Sequence, residues 1–311
     1  MHILRVVTPA WLALVVVSMR NGINGFGYRK REQHLWPQKY ESCAGKLQSP
    51  VGISTSKAIA LPLPALEMIG YHDFLSMPQI LTNNGQTVKL TVNKNAMYGR
   101  LPYIFGAVLQ RNRQYEMEQL HFHWGIKNNR GAEHVLNGVR YPMEMHIVHR
   151  NMAYSNISYA LRHEDGVVVV ATLFQLQDED NELIRSLISE LADVQWARTE
   201  LSVNVSLALA SLIPSNTDIF YTYKGSLTTP PCSEAVTWII FATPVPISFR
   251  QINTFRKLSN GEETLGDNFR LLQDIGQRKV YIRRLDPSFW TKNIKRDDSR
   301  FDFANLSWFW S

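Results

Sequence analysis

The chain has 311 residues, 45% hydrophobic and 19% charged, with a formal net charge of +6 at pH 7. That balance excludes a disordered or fibrous chain and allows one large domain or two smaller ones. The basic residues are spread out. The densest stretches, Tyr28-Arg29-Lys30-Arg31 and Arg278 to Arg284, do not interleave bases and aromatics as nucleic-acid binders do, so no nucleic acid is expected as a partner.

Residues 1–18 read as a signal peptide. Arg5 precedes an apolar run from Val6 to Val17, and Val16 and Ser18 offer small residues for cleavage. The run is too short for a membrane span; the competing reading is a buried strand. Residues 19–50 carry Gly22, Gly25, Gly27, Pro37, Gly45 and Pro50 and read as a loop-rich approach without regular elements. Gln79 to Asn83 then reads as a strand leading into an Asn84-Gly85 turn, and Gln86 to Val92 as its alternating partner. Met117 to Trp124 and Met143 to Val148 read as strands. Val167 to Leu176 is a continuous apolar run, as expected of a strand buried on both faces. Asn181 to Leu191 has helical spacing behind the acidic Asp178 to Asp180. Leu207 to Leu212 suggests a second short helix, and Ser248 to Leu258 a third. Phe220 to Tyr223, Val236 to Ala242 and Val280 to Ile282 read as strands. Asp286 to Ser311 is a mixed polar and aromatic tail with no apolar run of anchor length, so neither a lipid-anchor signal nor a span is expected there. No repeat or linker divides the chain. The expected fold is mostly β with peripheral helices (α+β), one domain over 19–285 on a large, largely antiparallel, twisted central sheet.

Two cysteines, Cys43 and Cys232, suggest a disulfide if the chain is secreted, worth about 5 kcal/mol in the chain-entropy model. In a reducing compartment they would be buried thiols. Asn156, Asn204 and Asn305 head sequons and are candidate glycosylation sites.

The chemistry gathers on Gln119-Leu120-His121-Phe122-His123-Trp124-Gly125. In a strand, His121 and His123 share a face because side chains two apart point the same way. His146 lies on a second strand-like run. If the two runs pair, three imidazoles converge, and three neutral ligands with an open fourth position are the pattern of a catalytic zinc site. Glu144 stands two residues before His146, and Gln119 two before His121. Each can therefore orient a ligand ring from behind.

These blocks, in this order, resemble the α-class carbonic anhydrases over roughly residues 25 to 284. The matching stretches are Gln48-Ser49-Pro50-Val51, Asn83-Asn84-Gly85, Gln119 to Gly125, Glu133-His134, Glu144 to His149, Gly225 to Pro231, Trp238 and Phe255-Arg256-Lys257-Leu258. With the leader and the cysteine pair, the chain looks like a secreted member. The resemblance implies reversible hydration of CO2 to bicarbonate and a proton through zinc-bound hydroxide, with Zn2+ on His121, His123 and His146. It implies CO2, bicarbonate and water as partners, and sulfonamides and anions as inhibitors. Thr228 matches the gatekeeper hydroxyl, hydrogen-bonded to Glu133; Thr229 matches a contact to bicarbonate and water. Val148, Val169, Leu227, Val236 and Trp238 match an apolar CO2 pocket. Tyr28 and Asn84 match holders of the cavity solvent, and His134 and His149 match buried structural histidines.

One position departs from the pattern. Many fast members carry a proton-shuttling histidine where this chain has Gln86, and an amide cannot take up and release a proton near pH 7. The implied enzyme is limited by proton export, with His72 the nearest replacement in sequence. Lys89 also replaces a common small polar residue. The alternative reading is a non-catalytic carbonic-anhydrase-related binding module, against which the retained histidines, Glu133 and Thr228 argue. Oligomeric state is left open.

Overall fold

The computed structural model describes residues 26–94 and 99–284. The leader at 1–18, the tail at 286–311 and Asn305 lie outside them. The strands are β1 (Gly52–Ile53), β2 (Ile59–Leu61), β3 (Leu66–Ile69), β4 (Gln79–Asn83), β5 (Val88–Val92), β6 (Tyr103–Gly106), β7 (Tyr115–Trp124), β8 (Val135–Leu136), β9 (Met143–Asn151), β10 (Val167–Gln177), β11 (Thr199–Val203), β12 (Phe220–Gly225), β13 (Val236–Phe241), β14 (Val245–Ser248) and β15 (Tyr281–Arg283). The helices are α1 (Lys30–Gln33), α2 (Trp36–Lys39), α3 (Ile157–Ala160), α4 (Arg185–Glu190) and α5 (Phe249–Phe255), with 3-10 turns between them.

Among the described residues, 13 strands form one sheet in the order β11-β4-β5-β7-β9-β10-β13-β12-β15-β2, with β14 beside β10 and the β3–β6 pair beside β7. Pairing is antiparallel from β11 through β10. It turns parallel at β10–β13, β10–β14 and β15–β2. The sheet is therefore mixed, more so than the alternating strands suggested. β10 lies mid-sheet with both faces covered, which is why Val167 to Phe174 reads as unbroken apolar sequence.

Rows of directly paired residues share a face, and two neighbouring rows define the molecule. Leu81, Leu90, Leu120, Ile147, Val170 and Ile239 run across six strands and point into the larger core, where α4 and α5 pack with Leu187, Ile252 and Phe255. The adjacent row is Thr82, Lys89, His121, His146, Ala171, Ile240 and Tyr221, on the opposite face. From Ala171 onward that row joins the smaller core.

β7 does not alternate strictly. A bulge between Met117 and Gln119 places Glu118 out of pairing. Tyr115 and Met117 before it, and Leu120, Phe122 and Trp124 after it, all face the larger core, although the parity of their numbers changes. The bulge thus lets an odd-numbered core face become an odd-numbered histidine face.

Several boundaries differ from expectation. Residues 19–50, expected to lack regular elements, contain α1, α2 and a 3-10 turn at Glu41–Ala44. Pro37 suits the first turn of α2, and Trp36, Phe26 and Tyr28 pack around the cysteine pair. The single helix expected over Asn181–Leu191 is a 3-10 turn (Glu182–Ile184), α4 and a second 3-10 turn (Leu191–Val194), with Asn181 rather than the acidic run capping its start. Leu209–Leu212 is a 3-10 turn. At α5, Ser248 and Gln251 form a reciprocal capping box. The Asn84-Gly85 turn is longer than two residues, since Asn83 pairs with Val88. Its Asn84 Oδ1 accepts from both the Gln86 and Thr87 N–H groups, each at 2.9 Å.

Cys43 and Cys232 form a disulfide with a Cα–Cα distance of 4.9 Å across a sequence separation of 189. It ties the α2–Ala44 segment to the Leu227–Cys232 turn. No helix among the described residues is long and apolar enough to cross a membrane.

Candidate active site

Pairing of His121 with His146, and of His123 with Glu144, brings the three imidazoles together on the same face of adjacent strands. One ligand-capable nitrogen from each lies within 4.8 Å of the others. The ring centroids of His121 and His123 are 5.0 Å apart, those of His121 and His146 5.1 Å, and those of His123 and His146 4.6 Å.

Each ring has an oxygen behind it. His121 Nδ1 lies 3.0 Å from Gln119 Oε1, His123 Nδ1 2.7 Å from the Asn268 carbonyl, and His146 Nε2 2.7 Å from Glu144 Oε1. Oxygen acceptors keep the ring proton on those outward nitrogens. The inward nitrogens, Nε2 of His121 and His123 and Nδ1 of His146, are then bare lone pairs. Burial, with repulsion from His123, His146 and Lys89, holds His121 well below the ordinary imidazole range. Burial also lowers His123, partly offset by the Glu133 charge. Yet His123 Nε2 and His146 Nδ1 face each other at 3.1 Å. Two lone pairs at that distance repel unless a cation lies between them. The donor set therefore fits a divalent, nitrogen-loving ion such as zinc.

Glu133 points the same way. It is fully buried, and its Oε1 accepts from the Arg270 N–H at 2.8 Å. Its Oε2 has no hydrogen-bond partner and lies 3.5 Å from His123 Nε2 and 4.0 Å from His146 Nδ1. The hydrogen bond expected between the Thr228 hydroxyl and Glu133 is not formed, because the carboxylate is anchored on the Arg270 backbone and turns its free oxygen toward the rings.

Glu144 is a hub. Its Oε1 accepts from His134 Nδ1 at 2.7 Å as well as from His146, and its Oε2 accepts from the His134 N–H at 2.8 Å. Burial pushes its carboxyl up, but the charge and hydrogen bonds of His134 and His146 outweigh that and hold it well below the usual carboxylate range. His134 Nε2 continues to the Tyr223 hydroxyl at 2.8 Å, which donates to Ser49 Oγ at 2.9 Å. The His134, Glu144 and His146 cluster is thus bound together by hydrogen bonds. His149 is buried on the other face, 2.7 Å from the Tyr71 hydroxyl.

A cavity of about 470 Å³ opens beside His121 and His123. Asn84, Gln86, Thr87, Lys89 and Gln119 line one part of it, and Phe26, Tyr28, Tyr40, Thr229, Pro230 and Pro231 another. Tyr28, Asn84 and Thr229 therefore line the same cavity as His121 and His123. Val148, Val169, Val236 and Trp238 belong to the smaller core, with Leu227 packed against it. They form a packed floor, since Val148, Val169 and Trp238 are direct pairing partners across β9, β10 and β13. The Trp238 ring lies 4.8 Å from the His146 ring.

Gln86 is not a free amide. Its Nε2 donates to the Phe26 carbonyl at 2.9 Å, strapping the N-terminal segment over the cavity. His72 is exposed and is not among the residues lining the cavity. Asn268 and Arg270 were not anticipated. Asn268 is buried, supplies the carbonyl behind His123, accepts from the Trp124 N–H at 2.7 Å and donates to the Gln86 carbonyl at 2.9 Å. Nothing in Gly266-Asp267-Asn268-Phe269-Arg270 signals that role by spacing.

A model of the eukaryotic-type carbonic anhydrases matches residues 31–284. Carbonic anhydrase 6 of Canis lupus familiaris is 33% identical over 258 residues, covering 80% of this chain and 76% of that protein. Carbonic anhydrase 15 of Mus musculus is 35% identical over 254 residues, covering 79% and 78%. Carbonic anhydrase 7 of Homo sapiens is 35% identical over 267 residues, covering 83% and 97%. A matched stretch of this extent, enclosing every residue of the triad and of its supporting shell, means that the chain belongs to the eukaryotic-type carbonic anhydrase family.

Proposed function

We propose that the chain catalyses reversible hydration of CO2 to bicarbonate and a proton, with one zinc ion on His121 Nε2, His123 Nε2 and His146 Nδ1. The observation that carries this reading is the set of three outward ring nitrogens, each already committed to an oxygen acceptor. Zinc, when bound, supplies a Lewis acid that lets water act as a nucleophile near neutral pH. Gln119, the Asn268 carbonyl and Glu144 hold the ring protons outward and so keep three lone pairs inward. Neutral imidazoles leave the ion its full charge, whereas thiolates would reduce it.

Glu133 and Thr228 are the proposed orienting pair. Glu133 Oε2 is a buried acceptor with no donor, and Thr228 directly precedes the cavity residue Thr229. The bond is open in this structure; a Thr228 hydroxyl turned onto the free oxygen would be able only to accept from the nucleophile, which would fix the direction of attack. Thr229 is assigned to bicarbonate and water. The floor of Val148, Val169, Leu227, Val236 and Trp238 offers CO2 an apolar surface and keeps water out of the packing below. Tyr28 and Asn84 are assigned to the cavity solvent. The Tyr28 phenol, raised well above its ordinary value by burial and by Glu133, stays a donor.

Among the described residues the cavity is lined by no imidazole other than His121 and His123. Proton export then depends on solvent and buffer, and we assign the rate limit to it. We also infer secretion, with 1–18 as leader, 19–285 as the catalytic domain and 286–311 as a tail. The Cys43–Cys232 disulfide supports this reading. Asn156 and Asn204 are exposed and accessible for glycosylation.

The test is zinc content by mass spectrometry together with stopped-flow CO2 hydration, with and without an aryl sulfonamide. The expected result is one zinc per chain and sulfonamide-sensitive hydration. A folded, zinc-exposed protein that retains no metal would overturn the proposal.

A further inference from the structure

Lys89 lies on β5 directly opposite His121 on β7, half-buried, and lines the cavity. No aspartate or glutamate is among the residues lining that cavity. Among the described residues Lys89 has no ion-pair partner; Glu116 and Glu118 are taken by Lys94 and Arg150, and Glu200, two strands away in the same row, accepts from the Thr82 hydroxyl at 3.3 Å. An ammonium in a concave site draws field lines into the cleft and raises the local concentration of anions there. The surrounding polar groups, Asn84, Gln86, Thr87 and Gln119, carry no charge that would cancel it.

We propose that Lys89 sets the affinity of the cavity for small monovalent anions, bicarbonate among them. The inference rests on the zinc site proposed above, where His121, His123 and His146 would hold the ion that binds the anion and Lys89 would add its charge from the cavity wall. Lys89 is a specificity-determining residue: it discriminates charged from neutral occupants of the same space. The equilibrium between CO2 and bicarbonate is fixed by thermodynamics, so Lys89 cannot favour one direction of the reaction in kcat/KM. Its effect is read in anion binding.

The experiment is calorimetric titration of the zinc-loaded full chain with thiocyanate, and separately with phenol, which stays uncharged at pH 7, for the wild type, Lys89→Gln and Lys89→Arg. Lys89→Gln is expected to bind thiocyanate about three- to tenfold more weakly, the size of one partly screened charge. Lys89→Arg should stay within about twofold of the wild type, and phenol should change little in either variant. Unchanged thiocyanate affinity in Lys89→Gln overturns the proposal. So does an equal loss for thiocyanate and phenol, or an equal loss in both variants, because those patterns report a change of shape rather than of charge. If the wild type binds neither ligand, the zinc-site reading itself has failed, and the inference with it.

Discussion

Glu144 is tied at once to His146, the His134 ring and the His134 backbone. A glutamine there keeps the shape but offers one acceptor where two carboxylate oxygens serve. Glu144→Gln should therefore weaken zinc binding about 10- to 100-fold, the usual effect of removing a ligand's supporting carboxylate. Competition with a chromophoric chelator would measure it. Gln86 gives a second prediction. Imidazole buffers should raise wild-type turnover, and Gln86→His should raise kcat in dilute buffer by about 100-fold, at the low end of what a positioned acid–base group contributes. A wild type that is fast and indifferent to buffer would remove the proposed bottleneck. The triad and its two side-chain supports were legible from strand periodicity and spacing, while Glu133 and Thr228 were singled out by family resemblance alone, and the bond expected between them is not formed. The third support could not be read, because it is the Asn268 backbone carbonyl, and a carbonyl leaves no mark on residue identity.

Strands that pair mid-sheet announced themselves by apolar content, as β7, β9, β10 and β13 show. The elements that were missed are short or peripheral. Paired β3 and β6 have only four residues each, and β11 alternates at an edge. α1 and α2 are single turns with no room for a periodic signal, and they exist because Trp36 and Cys43 are buried beside the disulfide. That link governs the prediction at this scale. Cys43→Ser should lower the unfolding free energy by a few kcal/mol, with about 5 kcal/mol as the chain-entropy value for a loop of 189 residues. It should also reduce turnover, because Thr228 and Thr229 share the turn that Cys232 closes. Denaturant titration with and without reductant, together with hydration rates, would test both effects.

At the scale of the whole molecule, the two faces of the sheet respond to acid in the same direction. Burial lowers the His149 imidazole to about 3, so between the ordinary imidazole value and that point the unfolded chain binds the extra proton. Stability then falls as pH falls, by up to about 1.4 kcal/mol per pH unit. Glu144 is held below the usual carboxylate range, so its contribution is present above that range and lost as pH falls through it. The protein should be insensitive through these groups above about pH 7 and weaken progressively in acid. Denaturant melts from pH 7 to pH 4 should show a shallower slope for His149→Gln. The bulge in β7 has a consequence for chain length itself. Met117 pairs with His149 and Gln119 with Val148, so Glu118 is a surplus residue in an otherwise regular ladder. Deleting Glu118 leaves the phase of every other β7 side chain unchanged and sacrifices only its contacts to Lys94 and Arg150. Deleting Leu120 instead turns His121 and His123 toward the larger core. Zinc retention should survive the first deletion and vanish with the second, making Glu118 the position in β7 where a codon can be lost while the metal centre stays in frame.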